Sequence, residues 1–224
     1  LKRYAIIVAG GSGLRMNSLL PKQFLKIRNE IILMKSIRAF YLFDPEIEII
    51  VALPENQIPF WKELIVKEGF TIQHKIAPGG ATRFHSVKNA LFSIGCDGYV
   101  AIHDGVRPLV SKKTIQDVFQ LAEKSGNAIP YIDINDSIRF VDGTNNRPVD
   151  RTKHKCIQTP QVFDCILIKK AYEQAYSENF TDDASVVENL GIKINLVRGN
   201  TENIKITTQV DLGVAEILSD YLSE

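Results

Sequence analysis

YAIIVAGGSGLRM, Tyr4 to Met16, is the stretch that decides the fold. Its first half is a short β-branched and aromatic run of the kind that forms a buried strand. The run then breaks into glycines, as a strand does where something must approach its backbone closely. Two familiar phosphate loops do not fit. A dinucleotide fingerprint needs a third glycine, but Gly11-Ser12-Gly13 is followed by Leu14, Arg15 and Met16; a Walker A loop needs a terminal Gly-Lys-Ser/Thr. What is left is a bare-backbone loop with Arg15 and then Lys22 just beyond it. Two cations beside such a loop suit a triphosphate, whose charge must be neutralised as it shifts between oxygens. A plain turn with two solvated basic residues is the alternative, and this loop alone does not exclude it.

Outward from that strand the pattern alternates. Glu30 to Phe43 has helical spacing of apolar residues, Ile47 to Leu53 reads as a strand closed by Pro54, Gln57 to Lys67 as a helix, and Phe70 to Ile76 as a third strand. After the PGGATR turn, Thr82 to Ser93 has a helical period. GYVAIHD is another strand, Ser111 starts a capped helix, and NAIPYID is a further strand. This is the signature of an α/β chain: a Rossmann-like three-layer sandwich with a mostly parallel sheet and helices on both faces. In such sheets ligands bind beyond the carboxyl ends of the strands. Ala9 to Arg15, Pro78 to Arg83 and His103 to Pro108 should therefore open on one edge. The segment 133–156 differs: a DG turn, TNN and a proline sit between short alternating runs, which reads as a protruding β-arm on an otherwise single domain spanning 1–224. An arm so poor in apolar residues needs a partner surface to be ordered, and a dimer would supply one; a mobile surface hairpin is the alternative.

The 224 residues, 45% hydrophobic and 24% charged, are enough for a full core. A net charge of +1 provides no global basic field, and no aromatic-basic stripe appears, so nucleic acid is not an expected partner. No apolar run approaches a membrane span and no signal-peptide pattern opens the sequence, so a cytoplasmic protein without membrane contact is expected. Cys96, Cys156 and Cys165 lack metal-ligand spacing and read as buried free thiols. The four histidines are scattered, and no zinc site is expected.

Four further segments add chemistry to strand ends. Gly79-Gly80 with Arg83 and Ser86 is a second glycine turn feeding a helix. His103-Asp104-Gly105-Val106-Arg107-Pro108 sets an acid and a base together. Thr181-Asp182-Asp183 heads a helix, where Thr or Asp would cap. Asn203 to Thr207 contributes Lys205. Each alone is more often structural than functional; so many at matching strand ends are hard to explain as accident.

The pieces AGGSGLRM, PKQF, GGATRFHSVKNAL, HDGVRP, VDR, QTPQVF, TDDAS and NIKIT keep their order over nearly the whole chain. Together they resemble the 2-C-methyl-D-erythritol 4-phosphate cytidylyltransferases of the non-mevalonate isoprenoid pathway. The resemblance implies that CTP and methylerythritol phosphate give the CDP-linked alcohol and pyrophosphate. The nucleophile would be a phosphate oxygen, already anionic, so no general base is needed; catalysis must hold two anions in line and offset charge at the α-phosphate. By position the resemblance assigns Arg15, Lys22 and Lys205 to that work, with Mg²⁺ carried mainly by the CTP phosphates and no protein metal ligands. It passes the backbones of Ala9, Gly10, Gly11 and Gly13 around the triphosphate. Gly80, Ala81 and Ser86 border cytosine and ribose, and Asp104 and Gly105 complete the nucleotide side. Asp104, Arg107, Thr159, Thr181 and Lys205 meet the acceptor. Ser137 and Arg151, on the arm, would reach the other subunit of a homodimer, with Arg151 on the acceptor's phosphate.

Several positions depart from the family pattern. Gly105-Val106 stand where two alanines are common, Ala81 where an acid is usual and Ser137 where threonine is usual; TKHKC follows VDR in place of a Leu-Trp pair. Two alternatives remain open on sequence: a ribitol 5-phosphate cytidylyltransferase, and a non-catalytic regulatory domain that binds nucleotide. Loss of Arg15, Lys22 or Lys205 would mark the latter, and all three are present.

Overall fold

The computed structural model describes residues 1–10, 20–95 and 97–221. Gly11, Gly13 and Arg15 of the opening loop, and Cys96, lie outside these. Strand β1 (Arg3–Val8) is the centre of the sheet and pairs in parallel with β4 (Glu48–Leu53) on one side and β6 (Tyr99–Asp104) on the other. Beyond β4 lies β5 (Lys75–Pro78), again parallel. On the far side of β6 the order departs from sequence: β11 (Gln161–Asp164) runs antiparallel between β6 and β7 (Asn127–Asp133). The path ends in β10 (Lys155–Ile157), antiparallel to β7, while β12 (Leu196–Arg198) pairs with β7 in parallel. The sheet is thus mixed and mostly parallel.

The period-two alternation of YAIIV sets the layers. Ala5 and Ile7 point to one face, where they meet Ile37 and Phe40 of α1 (Ile32–Phe43), Trp61 of α2 (Ile58–Lys67), and Ile115 and Phe119 of α4 (Lys112–Ser125). Tyr4, Ile6 and Val8 point to the other face. There they meet Phe84 and Val87 of α3 (Arg83–Phe92), Ile168 and Tyr172 of α5 (Cys165–Tyr172), and Val186 of α6 (Asp183–Glu188). A smaller third cluster seats α7 (Gln209–Tyr221), through Ala215, against Ile27, Ile32, Val106 and Ile206.

Three expected elements are corrected. The helix read from Glu30 begins at Ile32, because Glu30–Ile31 form β3 of a small hairpin with β2 (Lys26–Ile27). The helix read from Gln57 begins at Ile58, after one 3₁₀ turn at Glu55–Gln57. The strand read over Phe70–Ile76 is ladder-paired only at Lys75–Pro78. Upstream, a His74 ring nitrogen contacts the Ile72 carbonyl at 2.9 Å and its other nitrogen accepts from Trp61 Nε1 at 3.1 Å, so packing on Trp61 replaces strand pairing. Cys165 is buried as expected, but Cys156 is exposed, because β10 is an edge strand.

The chain leaves the body at Asp133 and returns at Lys155, where the two side chains form an ion pair at 2.5 Å. Between them β8 (Ile138–Asp142) and β9 (Asn145–Val149) form a separate two-stranded hairpin, turned at Gly143 with φ 57°. Phe140 and Val141 are exposed on it.

Candidate functional site

The described parts of the three predicted loops, with Ala9 and Gly10 standing for the first, open on one edge of the sheet. Val8, Gly10, Gly80, Ala81 and Asp104 border a cavity of about 310 Å³, with Ala9, Lys22, Ser86 and Lys205 completing its working surface. A second cavity of about 310 Å³ adjoins it, lined by Arg107, Thr159 and Thr181. Arg83, Asp104 and Lys205 line both and form the shared wall. Three of the described sequence candidates line neither cavity. Gly105 is buried in packing, where a Cβ would stand 3.1 Å from Leu33 Cδ1 and 3.2 Å from Ala9 Cβ. Ser137 and Arg151 lie at the root of the hairpin, where Arg151 donates to the Asn135 carbonyl.

Each loop is fixed by its own local chemistry. Thr82 caps α3 by accepting from the His85 N–H, and a Cβ on Gly80 would collide with His85 Cβ at 2.4 Å, so only glycine lets the turn close. The Ser86 hydroxyl accepts from Gly80 N–H at 3.0 Å and donates to the Thr82 carbonyl at 3.0 Å. Gln23, fully buried beside Lys22, donates to the Ala9 carbonyl at 2.9 Å and to Gln57 Oε1 at 2.7 Å, anchoring the exit of β1. In NIKIT, Asn203 and Ile206 are buried and Lys205 between them is exposed. Ile206 is buried and its N–H donates to the Val106 carbonyl at 2.9 Å, which turns Lys205 outward to the cavities.

Asp104 is the electrostatic centre. Its carboxylate faces Lys205 Nζ at 3.0 Å, Arg107 Nε at 3.3 Å and Arg83 Nε at 3.4 Å. Burial opposes its charge, but Arg83, Lys205 and Arg107 outweigh that and hold its pKa well below the usual carboxylate range. Burial also opposes the Arg83 charge, and there Asp183 and Asp104 raise the pKa above its ordinary value. Arg83 reaches Asp183 through both terminal nitrogens, at 2.9 and 2.7 Å, and Asp183 also accepts from the Tyr172 hydroxyl at 2.6 Å.

His103, wholly buried, holds the loop from behind. The Asp104 N–H donates to Thr159 Oγ1 at 3.0 Å, Thr159 Oγ1 lies 3.1 Å from His103 Nδ1, and His103 Nε2 lies 3.0 Å from the Arg107 carbonyl. A carbonyl only accepts, so Nε2 carries the proton and Nδ1 accepts from Thr159. The Thr159 hydroxyl thus spends its hydrogen inside the protein and meets the second cavity chiefly as a positioning group. Burial pushes the His103 pKa down from 6.5 to about 4. Below pH 6.5 the unfolded chain takes up this proton, while the native form resists until about pH 4. Stability is therefore lost as pH falls through that window, by roughly 3 kcal/mol in all. Denaturant midpoints measured between about pH 7 and about pH 5 should fall less for His103→Gln than for the unaltered protein; equal slopes would show that this histidine is not the buried base described.

Sequence reading found Lys22, Lys205, Asp104 and Arg107. It passed over the His103–Thr159 link and gave Asp183 only a capping role, since partners so far apart in the chain leave no spacing signal. Asp182, not Thr181, is the cap of α6, accepting from the Ser185 N–H.

An α/β sheet whose strand ends hold a glycine turn, a ring of cations and two adjoining cavities defines an enzyme of nucleotidyl transfer. The family model for 2-C-methyl-D-erythritol 4-phosphate cytidylyltransferase matches residues 4–220. The enzyme of that name from Bacteroides fragilis is 52% identical over 216 residues, 96% of this chain and 99% of the relative. The crystal structure of the Thermus thermophilus enzyme superposes with TM-score 0.80 at 29% identity, over 98% of this chain and 100% of that one. The bifunctional IspDF of Campylobacter jejuni superposes with TM-score 0.82 at 30% identity, over 96% of this chain but 54% of that longer one. The chain belongs to the 2-C-methyl-D-erythritol 4-phosphate cytidylyltransferase family, whose reaction is CTP-dependent cytidylyl transfer to methylerythritol phosphate in isoprenoid biosynthesis.

Proposed function

We propose that the first cavity holds CTP, that the second holds methylerythritol 4-phosphate, and that the reaction takes place at their shared wall. The observation that carries this reading is the position of Lys205, which lines both cavities and is paired with Asp104 at 3.0 Å. An acceptor phosphate oxygen attacks the α-phosphorus of CTP, the bond to the β-phosphate oxygen breaks, and pyrophosphate leaves. Lys22 and Lys205, joined by Arg15 from outside the described residues, neutralise the triphosphate as charge moves along it. Gly10, Gly80, Ala81 and Ser86 border the nucleotide. Arg107 and Thr181, with Asp104, meet the acceptor.

Magnesium fits this pocket only as part of the substrate. Asp104 is the one carboxylate among the described lining residues of the nucleotide cavity, and three cations already surround it. Such a donor set suits an ion that arrives on the CTP phosphates.

The arm supports a homodimer. A two-stranded hairpin is marginal in water by itself, and Phe140 and Val141 are exposed on this one. Ser137 and Arg151, which serve neither cavity of their own chain, would reach the acceptor in the partner's site. No helix among the described residues is long and apolar enough to cross a membrane. The cytoplasm, where CTP is made, is the proposed setting.

Pyrophosphate release with CTP and Mg²⁺ tests the acceptor: turnover is expected with methylerythritol 4-phosphate and not with ribitol 5-phosphate at equal concentration. Preference for ribitol 5-phosphate would keep the cation roles and overturn the acceptor. The shared site is tested by mixing subunits. Arg151→Ala and Lys22→Ala chains, each nearly inactive alone, should regain about a quarter of full activity when mixed equally, because random pairing leaves one intact site in half of the dimers. No recovery, with exchange of subunits verified, would place Arg151 outside the partner's site.

A further inference from the structure

We propose that Arg83 is a positioning residue that sets the acceptor cavity in register with the nucleotide cavity. The proposal deepens the functional reading above and takes its substrate names from it. Arg83 is the first residue of α3, at the end of the second glycine turn, yet the turn does not depend on its side chain. Gly80 N–H to Ser86, Ser86 to the Thr82 carbonyl, and Thr82 to the His85 N–H hold that turn by themselves. The guanidinium instead leaves the turn and crosses the wall between the cavities, lining both.

Across the wall its fork takes both oxygens of Asp183, at 2.9 and 2.7 Å. Asp183 is fully buried and directly follows Thr181 and Asp182, which line the acceptor cavity. Asp182 is itself held by Gln161 Nε2 at 2.8 Å, so the start of α6 moves as one piece with the fork. The third nitrogen of Arg83 faces Asp104 at 3.4 Å. One planar group thus relates three things: the nucleotide turn it grows from, the wall carboxylate, and the strip that carries Thr181.

A buried ion pair adds little net stability over apolar packing of the same volume. What a bidentate fork supplies is a fixed distance and a fixed plane. In a reaction that requires two phosphates to be aligned, a shift of one cavity against the other by about 1 Å costs up to about a hundredfold in rate. A point charge on a flexible stem cannot supply that plane, so lysine is a poor substitute at this position.

The experiment compares Arg83→Gln, Arg83→Lys and Tyr172→Phe with the unaltered protein. CTP binding is measured by calorimetry, steady-state rates with each substrate varied, and thermal melting on all four. For both Arg83 variants we expect CTP affinity within about threefold, the KM for methylerythritol 4-phosphate raised roughly 10- to 100-fold, and kcat lowered. Tyr172→Phe removes a hydrogen bond from Asp183 but keeps the fork; it should lower the melting temperature and leave the acceptor KM in place. Parallel loss of CTP affinity and acceptor KM would overturn the proposal, as would recovery of the acceptor KM in Arg83→Lys. So would a rise in Tyr172→Phe equal to that in Arg83→Gln, which would reduce Arg83 to a structural role. Should Arg83→Gln fail to fold, Arg83→Lys carries the test. If the unaltered protein turned over only ribitol 5-phosphate, the acceptor reading would fail while the Arg83 measurement ran on that substrate.

Discussion

Replacing Lys22 with alanine is expected to lower kcat by about 10²- to 10³-fold, or about 3–4 kcal/mol, while the KM for CTP rises far less. Lys22 opens a single 3₁₀ turn, Lys22–Phe24, on the wall of the nucleotide cavity. The turn is held from behind by buried Gln23, whose amide grips the Ala9 carbonyl and Gln57. The lysine is therefore presented by a rigid base, and its charge is in place before the reaction begins. Such a charge contributes most where negative charge grows, at the oxygens of the departing pyrophosphate, and less to the ground state, where on the proposed reading the second glycine turn already borders CTP. Steady-state pyrophosphate release over a range of CTP concentrations separates the two effects. A variant with kcat within about threefold of the original would remove Lys22 from the transition state.

Asp183→Ala is expected to destabilise the fold by about 2–4 kcal/mol, because it takes both fork bonds from partly exposed Arg83, leaving it only Asp104, and strands the buried Tyr172 hydroxyl. For a chain of this size the melting temperature should drop by roughly 5–15 °C. Asp183→Asn should fall between, since its amide oxygen still accepts from one partner. Scanning calorimetry reads both variants. A drop under about 3 °C for the alanine variant would mean that the Asp183 bonds to Arg83 and Tyr172 add little to the fold.

The parts of the molecule legible in the sequence were those with a local cause. YAIIV alternates because both faces of a central strand are covered, and Ser111 caps α4 because its hydroxyl meets the Thr114 N–H. The DG turn of the arm needed only Gly143 at positive φ. Lys22, Lys205, Asp104 and Arg107 stood out because cations and a carboxylate beside strand ends are unusual company. The misreadings had distant causes. Phe70 and Ile72 alternate like a strand because they lean toward Trp61, a residue of α2, and the His74 ring takes the carbonyl a ladder would have used. Gly105 looked like part of the ligand loop, yet it packs tightly, where a Cβ would press on Leu33 and Ala9 at 3.1 and 3.2 Å. The Arg83–Asp183 fork joins residues a hundred positions apart, and no periodicity records such a meeting.

Strands β6 and β7 are neighbours in the chain, joined by one helix, but in the sheet they stand apart with β11 between them. During synthesis this leaves an open slot. While residues 161–164 are still inside the ribosome, the hydrogen-bonding groups of Ala101 and Ile102 have no native partner on that side, and neither has Ala128. A nascent chain can fill the slot wrongly by zipping β6 directly onto β7, a short-range closure that is quicker than waiting for a distant strand. Such a premature sheet expels β11 and with it the adjoining Thr159, which accepts from the Asp104 N–H. The native sheet closes only when this four-residue strand is inserted, and shielding the edge of β6 until then should raise the yield of native sheet.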